Sequence, residues 1–146
     1  MIERFRQTYR HLRVAPDEEL LREAPALARP VLLAMSPSDR RHALVTYAAL
    51  AAAGADDELR LAGLLHDMGK PREARLWHRV AAVLAPGVAA RLGATGRAYV
   101  AHAARGAEMA RALGLSARVA RVIARHHDAP LDEDDRMLHA AERADA

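Results

Sequence analysis

No stretch of this chain alternates apolar with polar residues at period two, and that absence constrains its fold more than any other feature. Apolar residues recur instead three and four positions apart, between Pro and Gly breaks. Residues 2–14 put Ile2, Phe5, Tyr9 and Leu12 on one helical face, with Arg6, Arg10 and Arg13 elsewhere. Pro16 opens "PDEELLREAPALA", whose early acids suit the positive end of a helix dipole. Pro30 and Pro37 are expected to frame a connector. Ser38 and Gly54 bound the next helix, and Asp56 or Asp57 opens one that Gly69 closes. Further helices are expected over 72–84, from Pro86-Gly87, and over 95–113 with Gly114 as the stop. Ser116 caps "ARVARVIARHHD", which Pro130 ends, and Asp132 opens a last helix that continues to the C-terminus. The reading is an all-α fold in one domain.

Composition agrees. Ala, Leu and Arg dominate, aromatics are 3% of the 146 residues, and there is no cysteine. Disulfides and thiolate metal sites are therefore excluded, leaving His, Asp and Glu as strong metal ligands. The net charge of +3 comes from arginines interleaved with acids, a solvated surface more than a nucleic-acid track. With no signal segment and no apolar run long enough for a bilayer, a cytoplasmic protein without membrane partners is expected. The first helix is expected to pack on this domain or on a second copy, making a homodimer.

The chemistry lies in the histidines. Of eight, His42, His66, His102 and His126 each extend an apolar stripe of their own helix. Asp145 does the same through Leu138 and Ala141, whereas Glu142 lies off that stripe and Asp135 sits near the helix start. Burying five unpaired polar groups at separate places would cost a few kcal/mol each, and an Ala/Leu core offers few partners. One shared cation satisfies several together. Imidazole with carboxylate suits Fe, Mn, Co, Ni or Zn better than Mg or Ca. His11, His78 and His139 extend no such stripe and are read as exposed or helix-packing residues, and Trp77 as packing. Asp128 is placed to orient a neighbouring histidine.

Taken in order, His42, "HD" at His66-Asp67, "HH" at His126-His127 and the late Asp145 resemble the HD-domain superfamily of metal-dependent phosphohydrolases. "RHALVTYAALAAAG", "LLHDMGK", "HAARGAEMARALGLSARVARVIARHHD" and "LHAAERADA" carry the likeness, from about Arg40 onward. The resemblance implies a helical bundle of roughly seven to eight helices, with residues 1–37 outside the motif region and 38–146 as the metal-binding core. It makes His42, His66, Asp67 and Asp145 ligands of a first metal. His102 and His126, or His127 in place of His126, would serve a second, with Asp67 bridging. The Gly-Tyr-Pro block of cyclic-dinucleotide phosphodiesterases and the Glu-Asp of guanosine-tetraphosphate hydrolases are both absent.

The implied activity is hydrolysis of a phosphate ester of a small metabolite, with a nucleotide the favoured substrate, by metal-activated water. Lys70 is the chain's sole lysine among 22 basic residues. Gly69 is expected to turn the chain sharply there and bring Lys70 to the substrate phosphate, as a compact charge beside catalytic Asp67, with Arg72 lining the same anionic pocket. The same ligand set also suits a mixed-valent di-iron oxygenase. A regulatory HD module without catalysis is the third reading.

Overall fold

The structure, a computed structural model, describes residues 17–74 and 76–144. His11, Arg75, Asp145 and the helix expected over 2–14 lie outside the described residues, as does the side chain of Trp77.

Among the described residues there is no strand, as expected, and ten α-helices stand in place of seven to eight. They are α1 (Asp17–Glu23), α2 (Arg29–Ala34), α3 (Pro37–Ala52), α4 (Asp57–Leu65), α5 (Leu76–Leu84), α6 (Pro86–Ala89), α7 (Gly93–Val100), α8 (His102–Ala112), α9 (Ala117–Arg125) and α10 (Glu133–Arg143). The surplus has local causes. Pro25 breaks the early helix, leaving a 3-10 turn at Ala26–Ala28 before α2. Pro30 does not end a helix but sits in the first turn of α2, where a missing N–H costs nothing. The long helix over 95–113 is interrupted at Ala101, whose φ of −90° and ψ of 9° leave the α region.

Caps fix the remaining boundaries. α3 is capped by Ser36, not Ser38, with Pro37 in its first turn, and Ser36 Oγ accepts the Asp39 N–H at 3.2 Å. Asp56, Ser116 and Asp132 cap α4, α9 and α10, each accepting the N–H three residues on. Gly54 and Gly114 follow α3 and α8 with φ of 81° and 75°, the left-handed termination that glycine adopts without strain. α4 stops at Leu65 and α9 at Arg125, so both His66-Asp67 and His126-His127 lie just past helix ends.

Leu44, Leu50, Leu64, Leu65, Val119, Ile123 and Leu138 are essentially sealed from water in one apolar cluster that runs from Leu20 to Ala141. α3, α4, α8, α9 and α10 pack around it, α1 and α2 lean on α3, and α5 to α7 pack mainly on one another beside α8. No helix of the described residues is long and apolar enough to cross a membrane.

One arginine ties the helix starts together. Arg118, in the first turn of α9, forks onto Asp134 of α10 at 2.8 and 2.9 Å and reaches Asp56, the α4 cap, at 2.7 Å. Arg118 hydrogen bonds hold the Asp134 carboxyl below its ordinary range. Arg118→Met is expected to lower stability at neutral pH by about 1 kcal/mol, since water screens a third of the side chain. A depressed carboxylate pKa contributes stability above the unfolded value near 3.9, which is lost as pH falls through the folded value. The gap between wild type and variant should therefore narrow in urea melts taken below about pH 4.

Candidate metal centre

The interruption at Ala101 and the early ends of α4 and α9 share a consequence. His66, His102 and His126 all sit at helix ends, and each turns Nδ1 back onto the carbonyl oxygen three residues earlier. The partners are Gly63 at 2.7 Å, Tyr99 at 2.6 Å and Ile123 at 2.7 Å. With Nδ1–H donated to a carbonyl, Nε2 is the ring atom left to ligate once it is free of a proton. Those three Nε2 atoms face one another: His102 and His126 Nε2 are 3.2 Å apart, and the His66 and His126 rings are 4.9 Å apart.

Asp67 stands among them. Its Oδ1 is 3.4 Å from His102 Nε2 and 3.6 Å from His126 Nε2, and its Oδ2 is 3.4 Å from His66 Nε2. These are charge-pair distances without hydrogen-bond alignment: Asp67 Oδ1 and His66 Nε2 are both buried with no hydrogen-bond partner. Buried polar atoms left so are costly unless something else satisfies them.

Three overlapping groups, each with its ligand atoms within 4.8 Å of one another, make up the centre: His42 with His66 and Glu142, His66 with Asp67 and His126, and His102 with His126 and His127. Of the expected residues, His42, His66, Asp67, His102 and His126 come together. His127, the alternative to His126, also lies close, with its Nε2 2.9 Å from His102 Nε2. Glu142, set aside on sequence for lying off its stripe, places Oε1 3.3 Å from His66 Nε2. Glu142 stands four residues after Leu138, so the helix carries it on the same inward-facing side as Leu138 and Ala141.

Other residues fall elsewhere. Asp135 is buried but bonds the Leu131 N–H at 3.0 Å and pairs with Arg121 and Arg125, away from the centre. Asp128 pairs with Arg125 at 3.3 Å. His78 is buried and His139 half-buried, in keeping with packing more than exposure. Arg72 is exposed in the turn after Lys70. Lys70 is nearly buried and donates to Asp67 Oδ2 at 2.6 Å.

The chain turns over residues 66–69, as expected, with the Lys70 N–H on the Asp67 carbonyl oxygen at 3.0 Å, but Gly69 serves that turn without a positive φ. A Cβ there would collide with the His102 carbonyl oxygen and lie 2.7 Å from the Gly106 nitrogen. The glycine lets the segment after α4 press backbone to backbone on α8, and that contact sets His102 beside Asp67.

The electrostatics ask for positive charge. Burial pushes the His66 imidazole down, but Asp67 and Glu142 outweigh it and hold it up to about 10. Burial pushes the Asp67 carboxyl up, yet His66, His102 and His126 hold it well below the usual carboxylate range. Asp67 and Glu142 thus favour positive charge beside His66, which is what a bound divalent ion would supply. His127 is driven the other way, to about 4, by the partial burial of its ring and by the neighbouring His126 and His102 imidazoles. It is thus neutral and ready to ligate at physiological pH. The orphaned atoms, the fixed tautomers and the all-nitrogen-and-oxygen donor set fit divalent transition metal ions.

A family model described as HD domain matches residues 40–146, which contain every donor named above. Comparisons with curated proteins and with solved structures give no match. The match spans well over half of the chain, and the His/Asp clusters fit the metal-dependent phosphohydrolases of that fold: this chain belongs to the HD-domain family.

Proposed function

We propose that the chain hydrolyses a phosphate ester of a small metabolite, with a nucleotide as the favoured class, using two adjacent metal ions. The observation that carries this reading is one carboxylate, Asp67, set between the His66 and His102 imidazoles with its two oxygens facing different nitrogens. His42, His66, Asp67 and Glu142 would hold a first ion, and Asp67, His102, His126 and His127 a second. The resemblance suggests Asp145 as the carboxylate of the first ion, and Glu142, with Oε1 3.3 Å from His66 Nε2, is a further candidate. Divalent ions supply Lewis acidity, acidifying water and offsetting charge on phosphoryl oxygens.

The chain's own groups do the rest. Backbone carbonyls at Gly63, Tyr99 and Ile123 fix the imidazoles in the tautomer that ligates. Lys70 sets a compact positive charge at the edge of the centre, suited to a phosphate oxygen. His127, exposed while its neighbour is buried, marks the side open to solvent and so the side of substrate entry.

Purified protein reconstituted with Mn, Co, Ni or Fe should release phosphate or a nucleoside monophosphate from some member of a panel of mono-, di- and cyclic nucleotides and sugar phosphates. Glu142→Gln should weaken turnover about a hundredfold. Silence across the whole panel with every metal would refute the hydrolase reading. The nitrogen-rich pair of clusters also suits dinuclear iron, so substrate-dependent oxygen uptake without phosphate release would select an oxygenase instead.

A further inference from the structure

Lys70 is not free to meet a phosphate in this structure, because its ammonium is bound to Asp67 Oδ2. If Asp67 is given over to cations, that bond is weakened and the ammonium is repelled by the incoming charge. A lysine with a flexible stem would then swing out to water unless a second anion held it.

A second anion is there. Asp39, on the first turn of α3, has its Oδ1 4.0 Å from Lys70 Nζ, and its side chain is almost completely buried. Its orientation is fixed by Ser36, whose hydroxyl donates to Asp39 Oδ2 at 2.5 Å and accepts the Asp39 N–H at 3.2 Å. One oxygen is thereby tied to the helix cap and the other is presented to Lys70. The ring of Tyr99 closes a further side, its centroid 5.7 Å from Nζ.

We propose that Asp39, locked by Ser36, is a positioning residue that retains Lys70 at the rim of the centre once Asp67 engages metal. The ammonium is then held ready for the substrate phosphate. The proposal rests on the phosphohydrolase reading for its purpose, but its geometry can be tested without turnover.

Lys70 being the sole lysine, protein grown with 13C-lysine has a single side-chain ammonium site to observe. Full-length protein loaded with Zn, which is diamagnetic, should show two resolved Hε signals for an immobilised Lys70. Asp39→Asn should merge them and speed acetylation of Lys70 by an acetyl N-hydroxysuccinimide ester about tenfold, as expected when a charge-assisted contact is lost. Asp39→Glu should restore most of the protection, and Ser36→Ala should give an intermediate rise. Where activity is present, Asp39→Asn should raise KM about tenfold with kcat little changed. Wild-type signals and reactivity in Asp39→Asn would overturn the proposal; should that variant not fold, unchanged reactivity in Ser36→Ala would do so. Lack of turnover in any protein would leave the lysine readout standing, so the two failures are distinguishable.

Discussion

Asp67→Ala should abolish turnover, by at least about a thousandfold, while leaving the protein folded. The loss follows from position: among the described residues no other carboxylate faces both the His66 and the His102–His126 sides of the centre, and an imidazole offers one lone pair where a bridge needs two donors. The fold should survive for an electrostatic reason. Removing a buried anion usually strands its partner, at a cost of about 3–5 kcal/mol. Here the main partner is an imidazole held charged largely by Asp67 itself. With Asp67 gone, His66 sheds its proton and escapes most of that penalty. Lys70 keeps Asp39 nearby. Matched circular dichroism spectra with absent activity are the expected pair of results; activity within tenfold of wild type would mean that the chemistry lies elsewhere.

Gly69→Ala should destabilise the protein by about 3 kcal/mol or more, a fall in Tm of roughly 10 °C for a chain of this size. The new Cβ would run into the His102 carbonyl oxygen and meet the Gly106 nitrogen at 2.7 Å, both backbone atoms that no rotamer change can move. Relief requires α8 to shift, which carries His102 away from Asp67, so metal affinity should fall together with Tm. Gly54→Ala makes a useful contrast. Gly54 has φ of 81°, and a Cβ added there would meet nothing within 4 Å, so that substitution should cost only about 1 kcal/mol of backbone strain. Differential scanning calorimetry on the two variants separates steric crowding from left-handed strain; equal losses would contradict the close-approach account.

Much of the centre is legible in the sequence because its logic is periodic. His66, His102 and His126 extend apolar stripes, and residues on one stripe face one interior. Helix ends obscure the rest. At a C-terminus the 100° advance per residue no longer holds, which is why two adjacent histidines, His126 and His127, both reach the centre although spacing alone demands a choice. Glu142 is missed for a different reason: following the stripe from Leu138 through Ala141 to Asp145 passes over position 142, which four-residue spacing from Leu138 sets on the same face. The break at Ala101 has no Pro or Gly to announce it, and only the tertiary demand that His102 turn inward makes it visible. Arg118 and Asp39 carry no signal in the sequence, since nothing local shows that one ties three helix starts and the other faces Lys70.

The measurement closest to the heart of the account is metal content by plasma mass spectrometry on protein loaded with Mn or Fe and then desalted, wild type beside His102→Ala. Convergence of the two clusters on a pair of cations predicts about two ions per wild-type chain and about one in the variant. No retained metal in wild type, or the same content in both proteins, would contradict it.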